Sequence, residues 1–297
     1  MKVYIDGQFY EKNEAKVSVF DHGVLYGDGV FEGIRSYNGR VFRLREHLDR
    51  LYDSAKAILL DVPMTKKEME EIVCQAIRTN GLKDAYIRVL VTRGVGDLGL
   101  DMRKCLKASI IIIADKIQLY PEEVYNRGLT LMVSHLRRVG PTQLSPTIKS
   151  LNYLNNILAR AEASRANCDE AILLNEQGYV SECSGDNIFF IRDNKLYTPP
   201  VWVGILEGIT RMVAMELGEK QLGLHVEEKV FTLPQLYRAD EVFVTGTGAE
   251  IIGVIKVNGR VIGDGKPGPI TKNLIAAFRD YVKTPEAGVE AYQTAAV

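Results

Sequence analysis

The hydrophobic spacing of this chain switches repeatedly between two rhythms, and no purely helical or purely sheet architecture accommodates both. Residues 30–42 read as two strands around Asn38-Gly39, a pair suited to the positive φ angles of a tight hairpin turn. Directly afterwards Leu44, Leu48, Leu51, Ala55 and Leu59 recur every three or four residues and make one apolar helix face. A second helix begins at Thr65, where Thr-Lys-Lys-Glu reads as a capping box, and stops at Asn80-Gly81. Two β-rich runs follow, 85–92 and 108–114. Residues 1–115 therefore read as one α+β domain.

At 297 residues the chain exceeds the usual size of one domain, so two domains with separate cores are expected. The polar stretch 116–127, with Pro121 inside it, reads as the linker. A second domain then covers 128–283. It opens with a strand-like run, 129–136, and has a helix reaching about Ala166. Short strands at 170–175, 187–191 and 241–245 follow, separated by turns such as Glu176-Gln177-Gly178 and Asp193-Asn194. Helices are expected at 209–221 and 270–282. Short strands with interspersed helices predict a mixed, barrel-like sheet more than a regular βαβ array. Residues 284–297 are small and polar and read as a disordered tail.

Charge is nearly balanced, with 37 basic against 38 acidic residues, which argues against a nucleic-acid or membrane-surface partner. Cys74, Cys105, Cys168 and Cys183 lie far apart with no Cys-x-x-Cys pair, so neither a metal site nor a disulfide framework is indicated. The start lacks the apolar run of a signal peptide, and no stretch approaches the roughly 18 apolar residues that span a bilayer. A soluble, cytoplasmic protein is the expectation.

Lys149 stands out in Pro146-Thr147-Ile148-Lys149-Ser150-Leu151-Asn152-Tyr153, where a strand-like stretch gives way to a helix. Its sequence neighbours are apolar or neutral, with no carboxylate until Glu162. An ammonium drawn into such a place loses hydration and becomes a nucleophile suited to Schiff-base chemistry, most often with pyridoxal phosphate. The competing reading is a helix-flanking lysine that reaches solvent.

Four other features bear on that choice. Glu182 lies at the end of a strand, and a buried carboxylate there would keep a pyridine nitrogen protonated. In Leu206-Glu207-Gly208-Ile209-Thr210-Arg211 a glycine enters a helix, where free N–H groups make an anion site and the missing side chain lets a phosphate come close; it also reads as a plain cap. Thr245-Gly246-Thr247-Gly248-Ala249-Glu250 follows an apolar strand with a turn that suits a phosphate or carboxylate. Arg50 reads either as a surface residue paired with Glu46 or as an inward fork for a phosphate.

Together with Tyr26-Gly27-Asp28-Gly29-Val30-Phe31-Glu32-Gly33-Ile34-Arg35 and Glu46-His47-Leu48-Asp49-Arg50-Leu51, these segments resemble the fold-type IV pyridoxal-phosphate enzymes. Within them the resemblance is to the branched-chain amino-acid aminotransferases, and it runs from about Met1 to Val282. It implies a smaller, sandwich-like N-terminal α/β domain and a larger, barrel-like C-terminal α/β domain. It implies that Lys149 holds pyridoxal 5'-phosphate as a Schiff base and that Glu182 pairs with the ring nitrogen. Arg50, Ile209, Thr210 and Thr247 would hold the phosphate, with Leu206, Gly208 and Gly246 beside the cofactor and Tyr153 on its oxygen. The implied reaction passes an amino group from leucine, isoleucine or valine to 2-oxoglutarate in two half-reactions, with Lys149 as the proton shuttle.

The implied side-chain pocket comprises Phe31, Tyr86 and Tyr120, with Gly33 leaving room beside them. Arg88 shares a strand face with Tyr86 and, with Tyr26, would take the distal carboxylate of glutamate. The substrate α-carboxylate would lie on Thr247-Gly248-Ala249. Tyr26 and the loop Val95-Gly96-Asp97-Leu98-Gly99-Leu100 reach a neighbouring subunit's site in the family, which implies a homodimer or a larger assembly of dimers. Ser150-Leu151-Asn152-Tyr153 is one residue shorter than the Gly-Gly form of many branched-chain enzymes and matches D-amino-acid aminotransferases of the same fold. Those relatives carry an arginine and histidine pair in the loop after the Tyr86 strand, where this chain has Asp97, Leu98, Gly99 and Leu100. The L-branched-chain reading therefore leads over a D-amino-acid or R-amine aminotransferase and an aminodeoxychorismate lyase. A phosphate-binding module without chemistry is the reading from a different class.

Overall fold

Turn chemistry at Asn38-Gly39 organises the first sheet. Both residues take positive φ, 47° and 87°, and the strand Gly29–Tyr37 returns as Arg40–Phe42 with Tyr37 opposite Arg40. The computed structural model describes residues 1–116 and 120–292. They divide into two compact units, one holding 1–116, 148–152 and 282–292, the other 120–147 and 153–281.

The first unit is built on a seven-stranded sheet. Its order is Gly288–Glu290, Arg40–Phe42, Gly29–Tyr37, Ala85–Thr92, Ser109–Asp115, Lys2–Ile5, Gln8–Glu11, and the pairings are antiparallel. The helices Leu44–Ala57 and Lys66–Thr79 bring Leu48, Leu51, Met69, Val73 and Ile77 into one core with Ile34, Ile87 and Val89 from the sheet. Each such buried side chain contributes about 1.5–3 kcal/mol. The predicted capping box is present: Glu68 N donates to Thr65 Oγ1 at 3.3 Å and Thr65 N donates to Glu68 Oε2 at 2.7 Å.

Three sequence expectations need correction. The lysine segment, placed by sequence in the second domain, pairs with the first sheet. Arg40–Phe42 covers Gly29–Tyr37 only at Ser36 and Tyr37, and the free stretch of that edge takes the segment instead: Phe31 N donates to Lys149 O at 3.0 Å and Leu151 N to Gly29 O at 2.9 Å. The predicted linker is helical over Glu122–Arg127, with Glu122 and Glu123 in its first turn and Arg127 in its last, which suits the helix dipole; residues 117–119 lie outside the described residues. The predicted tail is ordered as far as it is described. Gly288–Glu290 pairs with Arg40–Phe42, and Arg78 Nη1 donates to Ala291 O at 2.6 Å. Residues 293–297 lie outside the described residues.

The second unit carries a mixed nine-stranded sheet. Its path runs His225–Glu228, Lys195–Thr198, Asn187–Arg192, Glu241–Gly246, Glu250–Val257, Leu129–Arg137, Glu170–Leu174, Val180–Cys183, with Arg260–Val261 added beside Glu250–Val257. Parallel pairs need crossovers, and two helices supply them. Leu154–Arg165 joins Leu129–Arg137 to Glu170–Leu174, and Ile209–Lys220 joins Lys195–Thr198 to His225–Glu228. Cys183 N donates to Asp186 O at 2.7 Å, closing the turn that returns the edge strand to Asn187–Arg192 and curls the sheet into a half-barrel. No helix among the described residues is long and apolar enough to cross a membrane, and no group of three or more His, Cys, Asp or Glu there could hold a metal.

The cysteines test this packing. All four are free thiols. Burial pushes the Cys74 thiol up to about 12 and that of Cys183 well above its ordinary value, while Cys105 and Cys168 are only half-buried. A thiol reagent added to native protein should modify Cys105 and Cys168 and reach Cys74 and Cys183 only after denaturation. Equally fast modification of all four, read by mass spectrometry, would contradict the cores described.

Candidate active site

The first unit presents Lys149 beside a buried ionic cluster. Lys149 N donates to Ser54 Oγ at 3.1 Å, so the lysine backbone is tied both to the sheet and to the helix Leu44–Ala57. Its Nζ lies 5.2 Å from the centre of the Phe31 ring. The surroundings are less neutral than sequence suggested, because Glu32, fully buried, is an electrostatic neighbour of Lys149. Arg50 Nε donates to Glu32 Oε1 at 2.7 Å and Nη2 to Oε2 at 2.9 Å. His47 Nδ1 stands 2.7 Å from the same Oε2.

The protonation states of this cluster follow from opposing forces. Burial pushes Glu32 toward neutrality, but the charges of Arg50, Lys149 and His47 outweigh it and hold the carboxyl far below the usual range. Burial dominates at His47 and lowers its imidazole below the ordinary value, against the pull of Glu32. A neutral ring facing an ionised carboxylate carries its proton on Nδ1. Nε2 is then a lone-pair acceptor, and it is buried with no hydrogen-bond partner. Arg50 thus takes neither sequence alternative as written: its partner is Glu32, and Glu46 pairs with Arg43 at 2.8 Å.

On the same sheet Tyr86 and Arg88 project to one face, as expected from their spacing, and Arg88 Nη2 donates to the Tyr86 hydroxyl at 3.0 Å. The Arg88 guanidinium lies over Phe31, 4.6 Å from the ring centre. Gly33 sits opposite Arg88 in register, and a Cβ there would come within 2.0 Å of the Tyr86 hydroxyl. Only a residue without a side chain lets the phenol lie in this place. Tyr26 donates to Leu98 O at 2.5 Å, anchoring an exposed loop in which Leu98 and Leu100 face solvent.

In the second unit Glu182 is held from three directions. Arg138 Nε donates to Oε1 at 2.7 Å, while Leu206 N at 3.0 Å and Asn187 Nδ2 at 3.2 Å donate to Oε2. Asn187 also donates to Leu206 O at 2.9 Å, so one asparagine fixes both the carboxylate and the peptide ahead of the helix start. Arg138 and Asn187 were given no role from sequence. Arg138 follows another arginine at a strand end, which reads as solvent-facing, yet it is buried. Asn187 fell inside a recognised segment without its own signal.

Beyond Leu206 the chain enters the helix Ile209–Lys220 through Gly208, which supplies no side-chain cap. A Cβ on Gly208 would stand 2.0 Å from Asn187 Oδ1. Thr210 Oγ1 in the first turn is buried without a hydrogen-bond partner, and so is Thr245 Oγ1 on the strand before the glycine turn. Gly246 is equally constrained, since its Cβ would meet Asp186 Oδ1 at 2.0 Å. Thr247, Gly248 and Ala249 form the turn that follows. Tyr153 caps the helix Leu154–Arg165. Tyr120 belongs to this unit, packed in the core with Leu129 and Leu131, where burial pushes its phenol up.

An uncapped helix start, two buried hydroxyls awaiting an acceptor and a braced carboxylate define a site for an anionic ring compound, and a reactive lysine completes the set that the sequence picked out. The family described as amino-transferase class IV matches residues 29–257, and the chain belongs to it. A Methanocaldococcus jannaschii relative is 52% identical over 280 residues, covering 94% of this chain and 96% of its own. The branched-chain-amino-acid aminotransferase of Escherichia coli strain K12 is 39% identical over 282 residues, 93% of this chain and 91% of that enzyme. Among solved structures, the Escherichia coli branched-chain amino acid aminotransferase has a TM-score of 0.91 at 38% identity, covering 94% of this chain and 93% of that one. A second bacterial-type neighbour, the T.th. branched-chain amino acid aminotransferase with pyridoxamine 5'-phosphate, has a TM-score of 0.92 at 38% identity, with 96% of each chain covered. The Thermoproteus uzoniensis branched-chain aminotransferase with norvaline has a TM-score of 0.89 at 43% identity, covering 95% of this chain and 94% of that one.

Proposed function

We propose that this chain is a pyridoxal-phosphate-dependent aminotransferase that moves amino groups between branched-chain L-amino acids and 2-oxoglutarate, in two half-reactions at one site. The cofactor part is supported by donor chemistry. Thr210 Oγ1 and Thr245 Oγ1 are buried donors without an acceptor, the helix start at Gly208 has free N–H groups, and Glu182 is a carboxylate suited to a protonated ring nitrogen. A phosphopyridine fits that set. Ile209, Thr210, Thr247 and Arg50 would hold its phosphate, Leu206, Gly208 and Gly246 would line it, and Tyr153 would contact its ring oxygen.

When bound, pyridoxal phosphate supplies the electron sink that makes loss of a proton from the substrate α-carbon feasible. Lys149 Nζ anchors the cofactor and, once displaced by the incoming amine, takes that proton as general base. Glu182, braced by Arg138, holds the proton on the ring nitrogen.

The single observation that carries the substrate reading is the placement of Arg88 over Phe31 with its charge bonded to the Tyr86 hydroxyl. One face offers an aromatic surface to an aliphatic side chain and a guanidinium to a distal carboxylate, and the phenol keeps the arginine hydrogen-bonded when the side chain is aliphatic. Relatives support both halves, since the T.th. enzyme has been solved with N-(5'-phosphopyridoxyl)-L-glutamate and with 4-methylvaleric acid. The turn Thr247-Gly248-Ala249 would take the α-carboxylate. The exposed loop anchored by Tyr26 suits contribution to a neighbouring subunit's site, so a homodimer belongs to the same reading.

The test is a panel of both enantiomers of leucine, isoleucine, valine and alanine with 2-oxoglutarate. Consumption of the L-forms with formation of glutamate is expected. Consumption of D-forms alone would overturn the substrate reading.

A further inference from the structure

In the first unit one helix buries a polar stripe within an apolar face. His47, Arg50 and Ser54 are spaced by three and four residues on Leu44–Ala57 and so share a side, with Leu48 and Leu51 buried beside them. Each meets a partner off the helix: His47 and Arg50 meet Glu32 on Gly29–Tyr37, and Ser54 meets the backbone of Lys149. Stability alone does not account for this cluster, because a buried ion pair is often matched or bettered by apolar residues of similar volume. Orientation does. A carboxylate that accepts from both Nε and Nη2 fixes the plane of a guanidinium, and a histidine on one of the same oxygens fixes the carboxylate in turn.

We propose that Glu32 is a positioning residue that orients the Arg50 guanidinium before any anion arrives, with His47 as its brace. The cofactor phosphate then meets a cation already ordered, so little side-chain freedom is lost on binding. The same stripe sets the register of Lys149 through Ser54, placing the anion holder and the lysine on one rigid element. The inference deepens the proposed function and rests on its assignment of Arg50 to the phosphate.

Binding of pyridoxal phosphate and of pyridoxal, which lacks the phosphate, to cofactor-stripped enzyme separates this role from a merely structural one. Absorbance titration should show Glu32→Gln weakening pyridoxal phosphate by about 10- to 100-fold, with pyridoxal affinity nearly unchanged. In an Arg50→Gln background Glu32→Gln should add little further loss, because the two act as one unit. Should Glu32→Gln fold poorly, Glu32→Asp keeps the charge but shortens its reach, and its loss should again be confined to the phosphorylated cofactor. Equal weakening of both cofactors, or additive losses in the double variant, would overturn the proposal. If wild-type protein binds pyridoxal phosphate no better than pyridoxal, the assignment of Arg50 falls and the inference falls with it. If it binds neither, the cofactor reading itself is wrong.

Discussion

Replacing Lys149 with alanine is expected to lower kcat/KM for transamination by about 10⁴-fold or more, since one nitrogen serves as both anchor and base. The fold should survive the change. The bonds that seat the segment, to Phe31, Gly29 and Ser54, are made by the backbone of residues 149 and 151, so truncating the side chain removes chemistry and leaves the strand bridge. Lys149→Arg should be equally inactive, because a guanidinium stays protonated at neutral pH and neither attacks a carbonyl nor accepts a proton. Steady-state kinetics with L-leucine and 2-oxoglutarate, alongside the visible absorbance of the cofactor, give the readout. Retention of both in Lys149→Ala would rule out this lysine as the reactive group.

Glu182→Gln should produce the second largest loss, about 10²- to 10³-fold in kcat, together with a visible loss of stability. Glutamine keeps the shape but not the acceptor pattern. Arg138 donates to one carboxylate oxygen, and Leu206 N and Asn187 Nδ2 donate to the other. Either orientation of an amide therefore sets an NH₂ against a donor. Arg138, buried, also loses its counter-charge, and breaking such a pair costs about 3–5 kcal/mol. Thermal unfolding and kcat per folded molecule separate the two effects. A variant that unfolds early yet turns over at the wild-type rate would show that Glu182 supports the fold and not the chemistry.

Local signals in the sequence translated directly into structure. The hairpin at Asn38-Gly39, the cap at Thr65 and the strand Ala85–Thr92 all depend on neighbours within a few residues. Lys149, Glu182 and Gly208 were legible because each stands in a run of unusual chemistry. Partnerships across the chain were not. Glu46 was the obvious neighbour for Arg50 by helical spacing, but Arg43 claims it, and Glu32 approaches from a strand. Glu162, the nearest carboxylate to Lys149 in sequence, accepts from Ser134 Oγ at 2.6 Å in the second unit. Arg138 carried no marker of burial because its role depends on where Glu182 lies once the sheet has paired. The linker and tail were misjudged for the opposite reason, since polar composition hides short elements that dipole compensation or a single strand pairing suffices to order.

The first sheet is assembled from three separated parts of the chain, with consequences for synthesis. Gly29–Tyr37 gains its full complement of pairs only when residues 149–151 arrive, and Arg40–Phe42 lies open along one side until Gly288–Glu290 covers it. Unpaired strand edges are sites of wrong association. At about 5–20 residues per second, these edges wait through most of translation, so a nascent chain ending at residue 115 is an unfinished sheet and not an early domain.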